Sequence, residues 1–97
     1  MIRTFRDILD AAGRKGAKRI AVPFPVMDDL RTLSRAAEAG LAVPCLVGRP
    51  EALRSAIGRT PLASLDHEIV GEGDRRAALR LAVSLVREGR ADILMQG

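Results

Sequence analysis

This sequence predicts an α/β fold, a parallel sheet wound with crossover helices into three layers, on three observations. Its hydrophobic spacing switches repeatedly between the helical and the extended period. Apolar runs without alternation, such as "VPCLVG" at residues 43–48, suit strands buried on both faces. The segments run helix, three strand–helix pairs, then strand, an order that closes into parallel pairs through right-handed crossovers.

Each element has its own warrant. Phe5, Ile8, Leu9 and Ala12 fall at i, i+3, i+4 and i+7, one face of a first helix that Gly13 and Gly16 end. "KRIAVPF" predicts a strand over residues 19–22, closed by Pro23 and Pro25. "MDDLRTLSRAAEAG" predicts a second helix, with Asp28 capping its start and Gly40 stopping it. Met27, Leu30, Leu33 and Ala37 lie along its inner side. Pro44 has no N–H for a ladder, so it is expected near the first residue of the second strand.

Pro50 opens a short helix, "PEALRSAI", in the N1 position that proline suits. Residues 60–66 are a turn-rich connector, and "HEIV" is a short third strand. Asp74 caps the longest helix, residues 75–88. Leu79, Ala82, Val83 and Val86 are expected inward, and Arg76, Arg80, Ser84 and Arg87 outward. Gly89 ends that helix and "DILM" forms the fourth strand. A parallel sheet needs cover on both faces, and no helix follows this strand, so the expectation is a domain cut short.

Composition limits the possible functions. A chain of 97 residues makes one small domain, burying roughly 60–70% of its unfolded surface. Hydrophobic residues at 47% and charged residues at 29% exclude a disordered composition. Phe5 and Phe24 are the only aromatics, so the core must be aliphatic. The net charge of +4 comes from arginines dispersed from Arg3 to Arg90, apart from the short run Arg14, Lys15, Lys18, Arg19. A dispersed surplus attracts anions mildly, whereas a nucleic-acid binder gathers its charge on one face, so no nucleic-acid partner is expected. Charges at Arg3, Arg6, Asp7 and Asp10 leave no signal-peptide core, and no run reaches ~18 apolar residues. The chain is expected in the cytoplasm, with no membrane partner.

No isolated motif carries chemistry. "GRKG" at residues 13–16 has the spacing of a backbone-clamping GxxG loop, but a strand follows it where a helix is required. "GEG" at residues 71–73 lacks the third glycine of a dinucleotide loop, whose place Arg76 takes. His67 is the only histidine and Cys45 the only cysteine, so neither a metal site nor a disulfide is expected. His67 fits a solvent-facing strand entry, and Cys45 a core thiol. Asp28/Asp29 suits a helix start, and Glu72/Asp74 a loop and cap, better than acid–base pairs.

The ordered segments "KRIAV", "DDLRTLSRAAEAGLAVPCLVGRPEAL", "EIV" and "AALRLAVSLVREGRADILMQG" together resemble the opening of the phosphate acetyl/butyryltransferase family. The butyryltransferase-like branch is the nearer, including its forms fused to an enoyl-CoA hydratase domain. The resemblance implies transfer of an acyl group between coenzyme A and phosphate, the CoA thiolate attacking an acyl phosphate. Coenzyme A is then a substrate, and no cofactor is required. It also implies a two-domain architecture like that of the isocitrate and isopropylmalate dehydrogenases, usually dimeric, with the site between domains.

Residues 1–97 would be the N-terminal part of that enzyme, inactive alone, with a second copy or a missing C-terminal half as partner. The family's catalytic residues fall beyond Gly97, so none is carried over. Members of the branch usually read "LMKG", where this chain has Gln96, a neutral donor in place of a cation. By position, Gln96 and Gly97 after the fourth strand and Asp28 and Arg31 at the second helix start are expected to line the cleft. For Asp28 and Arg31 the competing readings are an N-cap and an exposed helix arginine. The alternative function is a non-catalytic α/β module that binds coenzyme A, another phosphorylated ligand or a partner chain.

Overall fold

The computed structural model describes residues 1–13 and 16–96. Helix α1 is Phe5–Ala12, opened by a reciprocal cap that the apolar spacing does not reveal. Thr4 Oγ1 accepts from the Asp7 N–H at 3.1 Å, while Asp7 Oδ2 accepts from the Thr4 N–H at 3.1 Å. Strand β1 is Lys18–Pro23 and helix α2 is Met27–Glu38. Strand β2 is Ala42–Gly48, followed by helix α3, Pro50–Ile57, with proline in its first turn. The connector holds one 3₁₀ turn, Pro61–Ser64. Strand β3, Glu68–Gly71, helix α4, Arg75–Arg87, and strand β4, Ile93–Leu94, complete the order.

The four strands are all parallel and lie in the order β3-β2-β1-β4. Alternation along β1 sends Ile20 and Val22 to one face and Ala21 to the other. The first face packs Ile8, Leu30, Leu33, Leu53 and Ile57 from α1, α2 and α3. The second packs Ala78, Ala82 and Leu85 of α4 against Ala21, Cys45 and Val47. This gives three layers. Because α4 crosses on the opposite face, β4 is set beside β1, and the winding direction reverses between these two strands.

Two expectations need correction. Pro44 is the third residue of β2, fully buried between β1 and β3 rather than at the strand's start. Odd-numbered carbonyls of β2 (Leu41 before it, then Val47) accept from the β1 side, so position 44 faces the β3 side. There β3 begins pairing only at Cys45, and no ladder bond is lost. Next, α4 buries Ala78, Ala82 and Leu85, while Leu79, Val83 and Val86 are only half-buried. Small side chains meet Ala21, Cys45 and Val47, and the half-buried Leu81 and Val86 pack beside them. Strand β4 is half-buried on each face: Ile93 packs with the α1–α3 layer and Leu94 with the α4 layer, and Met95 just after it is buried with Ile2 and Ile8. Its outer edge is paired as well. The Ile2 N–H donates to Leu94 O at 3.1 Å and the Gln96 N–H to Ile2 O at 3.2 Å.

Candidate functional site

All four strands point their carboxyl ends at one edge, and α2, α3 and α4 begin there. That edge holds two adjoining clefts. One, of about 340 Å³, lies at the reversal between β1 and β4, the usual place for a ligand in an open parallel sheet. Pro23 and Phe24 bring the end of β1 to it, and Val26 and Asp29 the entry of α2. Arg75, Arg76 and Leu79 come from α4 and Gln96 follows β4. The second cleft, of about 290 Å³, runs toward α3 and is lined by Gly48, Arg49, Ala52 and Leu53 among others. Phe24 and Arg75 border both.

Phe24 is held where an aromatic residue seldom sits. Its φ is +45°, and among the described residues it is the only non-glycine with positive φ. The Phe24 N–H donates to Val47 O at 2.8 Å, extending the β1–β2 ladder one step past Pro23. Pro25 then restricts the residue from its other side. Strain of this kind persists only where the surroundings enforce it, and it gathers at ligand sites. The Arg75 guanidinium lies over the ring, 4.9 Å from the centroid. On the α3 side, Gly71 lets Pro50 approach closely: a Cβ there would meet Pro50 Cγ at 3.1 Å.

The cleft electrostatics are cationic. Arg49, Arg75 and Arg76 line the two clefts, and none is in an ion pair among the described residues, where only Arg19–Asp92 and Arg31–Asp28 pair. Among the described residues Asp29 is the one carboxylate in their lining, and its Oδ2 accepts from the Val26 N–H at 2.9 Å. Both aspartates lie in the first turn of α2, but it is Asp29, rather than Asp28, whose carboxylate caps the helix start. Asp74 Oδ2 caps α4 by accepting from the Ala77 N–H at 2.8 Å, as expected.

The expected site residues separate. Gln96 lines the first cleft. Asp28 and Arg31 hydrogen-bond to each other at 2.9 Å, with side chains 89% and 68% exposed, and neither lines a cleft. Gly97 lies outside the described residues. Sequence reasoning missed Phe24, Asp29, Arg49, Arg75 and Arg76. A signal for two of them existed, since adjacent arginines in a helix's first turn oppose the helix dipole.

Away from this edge, the His67 ring Nδ1 lies 2.8 Å from Leu65 O. Cys45 is buried, its Sγ 4.0 Å from Glu68 Oε2. Burial pushes its thiol pKa up, and the Glu68 carboxylate adds to the effect. Among the described residues no group of three potential ligands could hold a metal ion, and no helix is long and apolar enough to cross a membrane.

Comparison with known proteins gives two relatives. The chain is 33% identical over 101 residues to the phosphate butyryltransferase of Clostridium acetobutylicum, covering 100% of this chain and 33% of that protein. It is 36% identical over 93 residues to the phosphate acetyltransferase of Rhizobium meliloti, covering 94% of this chain and 29% of that protein. The chain thus spans about a third of the length of the curated relatives it matches. No protein-family model matches it.

Proposed function

We propose that this chain, similar along nearly its whole length to two phosphate acyltransferases, belongs to the phosphate acetyl/butyryltransferase family and builds one wall of a site where an acyl group moves between coenzyme A and phosphate. The match along nearly the whole chain to two phosphate acyltransferases carries this assignment. The cleft between β1 and β4 supports it, being cationic, at a sheet's carboxyl edge and bordered by apolar side chains. In the direction of acyl phosphate synthesis, a phosphate oxygen attacks the thioester carbonyl and the C–S bond breaks. Coenzyme A leaves with the proton the phosphate gives up.

Gln96 offers a neutral amide donor to a phosphoryl or carbonyl oxygen, and the arginines offer charge. The remaining walls and the acid–base groups would come from polypeptide beyond these residues, in an isocitrate dehydrogenase-like pair of domains or a second copy. Half a cleft cannot exclude water from a reactive acyl phosphate.

The test is release of coenzyme A from butyryl-CoA and acetyl-CoA with phosphate, followed with a thiol reagent. The 97-residue chain alone should give no turnover above buffer. Turnover comparable to that of a full-length relative would refute the claim that it is one wall. A second reading is a module that binds coenzyme A without catalysis. Saturable coenzyme A binding that never becomes turnover, even with the missing two-thirds of a relative supplied, would favour that second reading.

A further inference from the structure

The first turn of α4 contains a charge arrangement that folding does not explain. Arg75 and Arg76 sit at the positive end of the helix dipole, where carboxylates are the favoured residues and cations oppose the field. Among the described residues neither arginine has an ion-pair partner, and both line the same cleft. Arg75 stacks on the strained Phe24 ring, which holds the guanidinium plane in place without neutralising it. A stacked guanidinium keeps its edge N–H groups free to donate. Among the described residues the cleft's one carboxylate, Asp29, is already engaged by a backbone N–H, and Gln96 in the same lining is neutral.

We infer that Arg75 and Arg76 form an oxyanion-binding subsite for a phosphoryl group in the cleft between β1 and β4, with Phe24 orienting Arg75. This deepens the acyltransferase reading and rests on it for the ligand's chemical class. The two guanidiniums supply the charge there. Gln96 supplies a neutral donor from the end of β4. Because Arg75 borders both clefts, an extended ligand bearing a phosphoryl group can run from one cleft into the other. The group could belong to inorganic phosphate or to coenzyme A.

The experiment is a titration of the chain, with amide and guanidinium NMR signals observed at constant ionic strength. Inorganic phosphate, coenzyme A and dephospho-coenzyme A are added in separate arms. Saturable shifts at Arg75, Arg76 and Gln96 are expected. Each of the variants R75Q and R76Q should weaken phosphate binding about tenfold, the size of one charge-assisted hydrogen bond. R80Q and R87Q remove equal charge further along α4 and should change it less than about twofold. R75K should recover only part of the loss, because lysine keeps the charge but not the fork. Should the arginine variants unfold, Q96K supplies an independent test by adding a third cation to the cleft, and it should tighten phosphate binding.

Shifts spread over all arginines without saturation, or equal effects of R75Q and R80Q, would overturn the subsite. So would coenzyme A shifting other residues while phosphate leaves Arg75 and Arg76 unmoved, although the transferase reading would survive that result. Phosphate binding here without any coenzyme A binding would instead count against the transferase. A response to coenzyme A that dephospho-coenzyme A lacks assigns the group to the 3′-phosphate, whereas a response of Arg75 and Arg76 to inorganic phosphate, with coenzyme A saturating other residues of the chain, assigns it to the acyl acceptor.

Discussion

A buried thiol illustrates how neighbours set the behaviour of one side chain. Cys45 lies on β2 beneath α4, and burial, followed by the nearby Glu68 carboxylate, raises its pKa. The thiolate is the reactive form, so both the pKa and the burial slow modification. A thiol reagent at about pH 8 should modify the native chain at least about tenfold more slowly than the chain in denaturant. Equal rates would mean that the thiol is open to solvent. Phe24 was hidden at this scale. A positive φ is not written in the residue type, and only the ladder bond to Val47 and the flanking prolines reveal why it is tolerated.

Helix α1 offers the clearest test at the scale of an element. Hydrogen bonds from the Arg3 and Thr4 N–H groups hold the Asp7 carboxyl below its ordinary pKa. The folded pKa is thus lower than the unfolded one, about 3.9. The stability Asp7 contributes is fully present above that unfolded value and is lost as pH falls through the folded one. D7N should therefore melt below wild type at about pH 7, with the gap closing toward about pH 3. A gap that persisted in acid would mean that the carboxylate charge is irrelevant to the cap.

Helix α4 shows where periodicity misleads. Scoring large apolar residues rotates the predicted inner face toward Leu79 and Val83, whereas close approach to a sheet selects alanines. The caps were legible where they follow a local rule, as with Asp74. At α2 two adjacent aspartates compete for one role, and geometry alone chose Asp29.

For the whole molecule, stability depends on a thin aliphatic core divided between two sheet faces. Leu46, on β2 between β1 and β3, is fully buried. Its replacement by alanine should cost about 2–5 kcal/mol. The total available to a chain of this length is only roughly 5–15 kcal/mol. A urea titration should show the midpoint of L46A falling by a large fraction at unchanged slope. A loss below about 1 kcal/mol would mean that the site collapses around the smaller residue.

Element type, chain order and parallel pairing were determined by the sequence itself. Periods, caps and prolines act over a few neighbouring residues and need no knowledge of the rest. The resemblance to phosphate acyltransferases was legible too, because it rests on the same ordered segments. Only the tertiary structure decided which face α4 would cover, that β4 would lie beside β1, and that Ile2 would close its edge. Those choices bring Phe24, Arg75, Arg76 and Gln96, distant in the chain, to one cleft. The physical reason is that hydrophobic burial is non-directional. Patterning states that a face must be covered, but the packing of the folded chain selects which segment covers it and which polar groups meet at the rim.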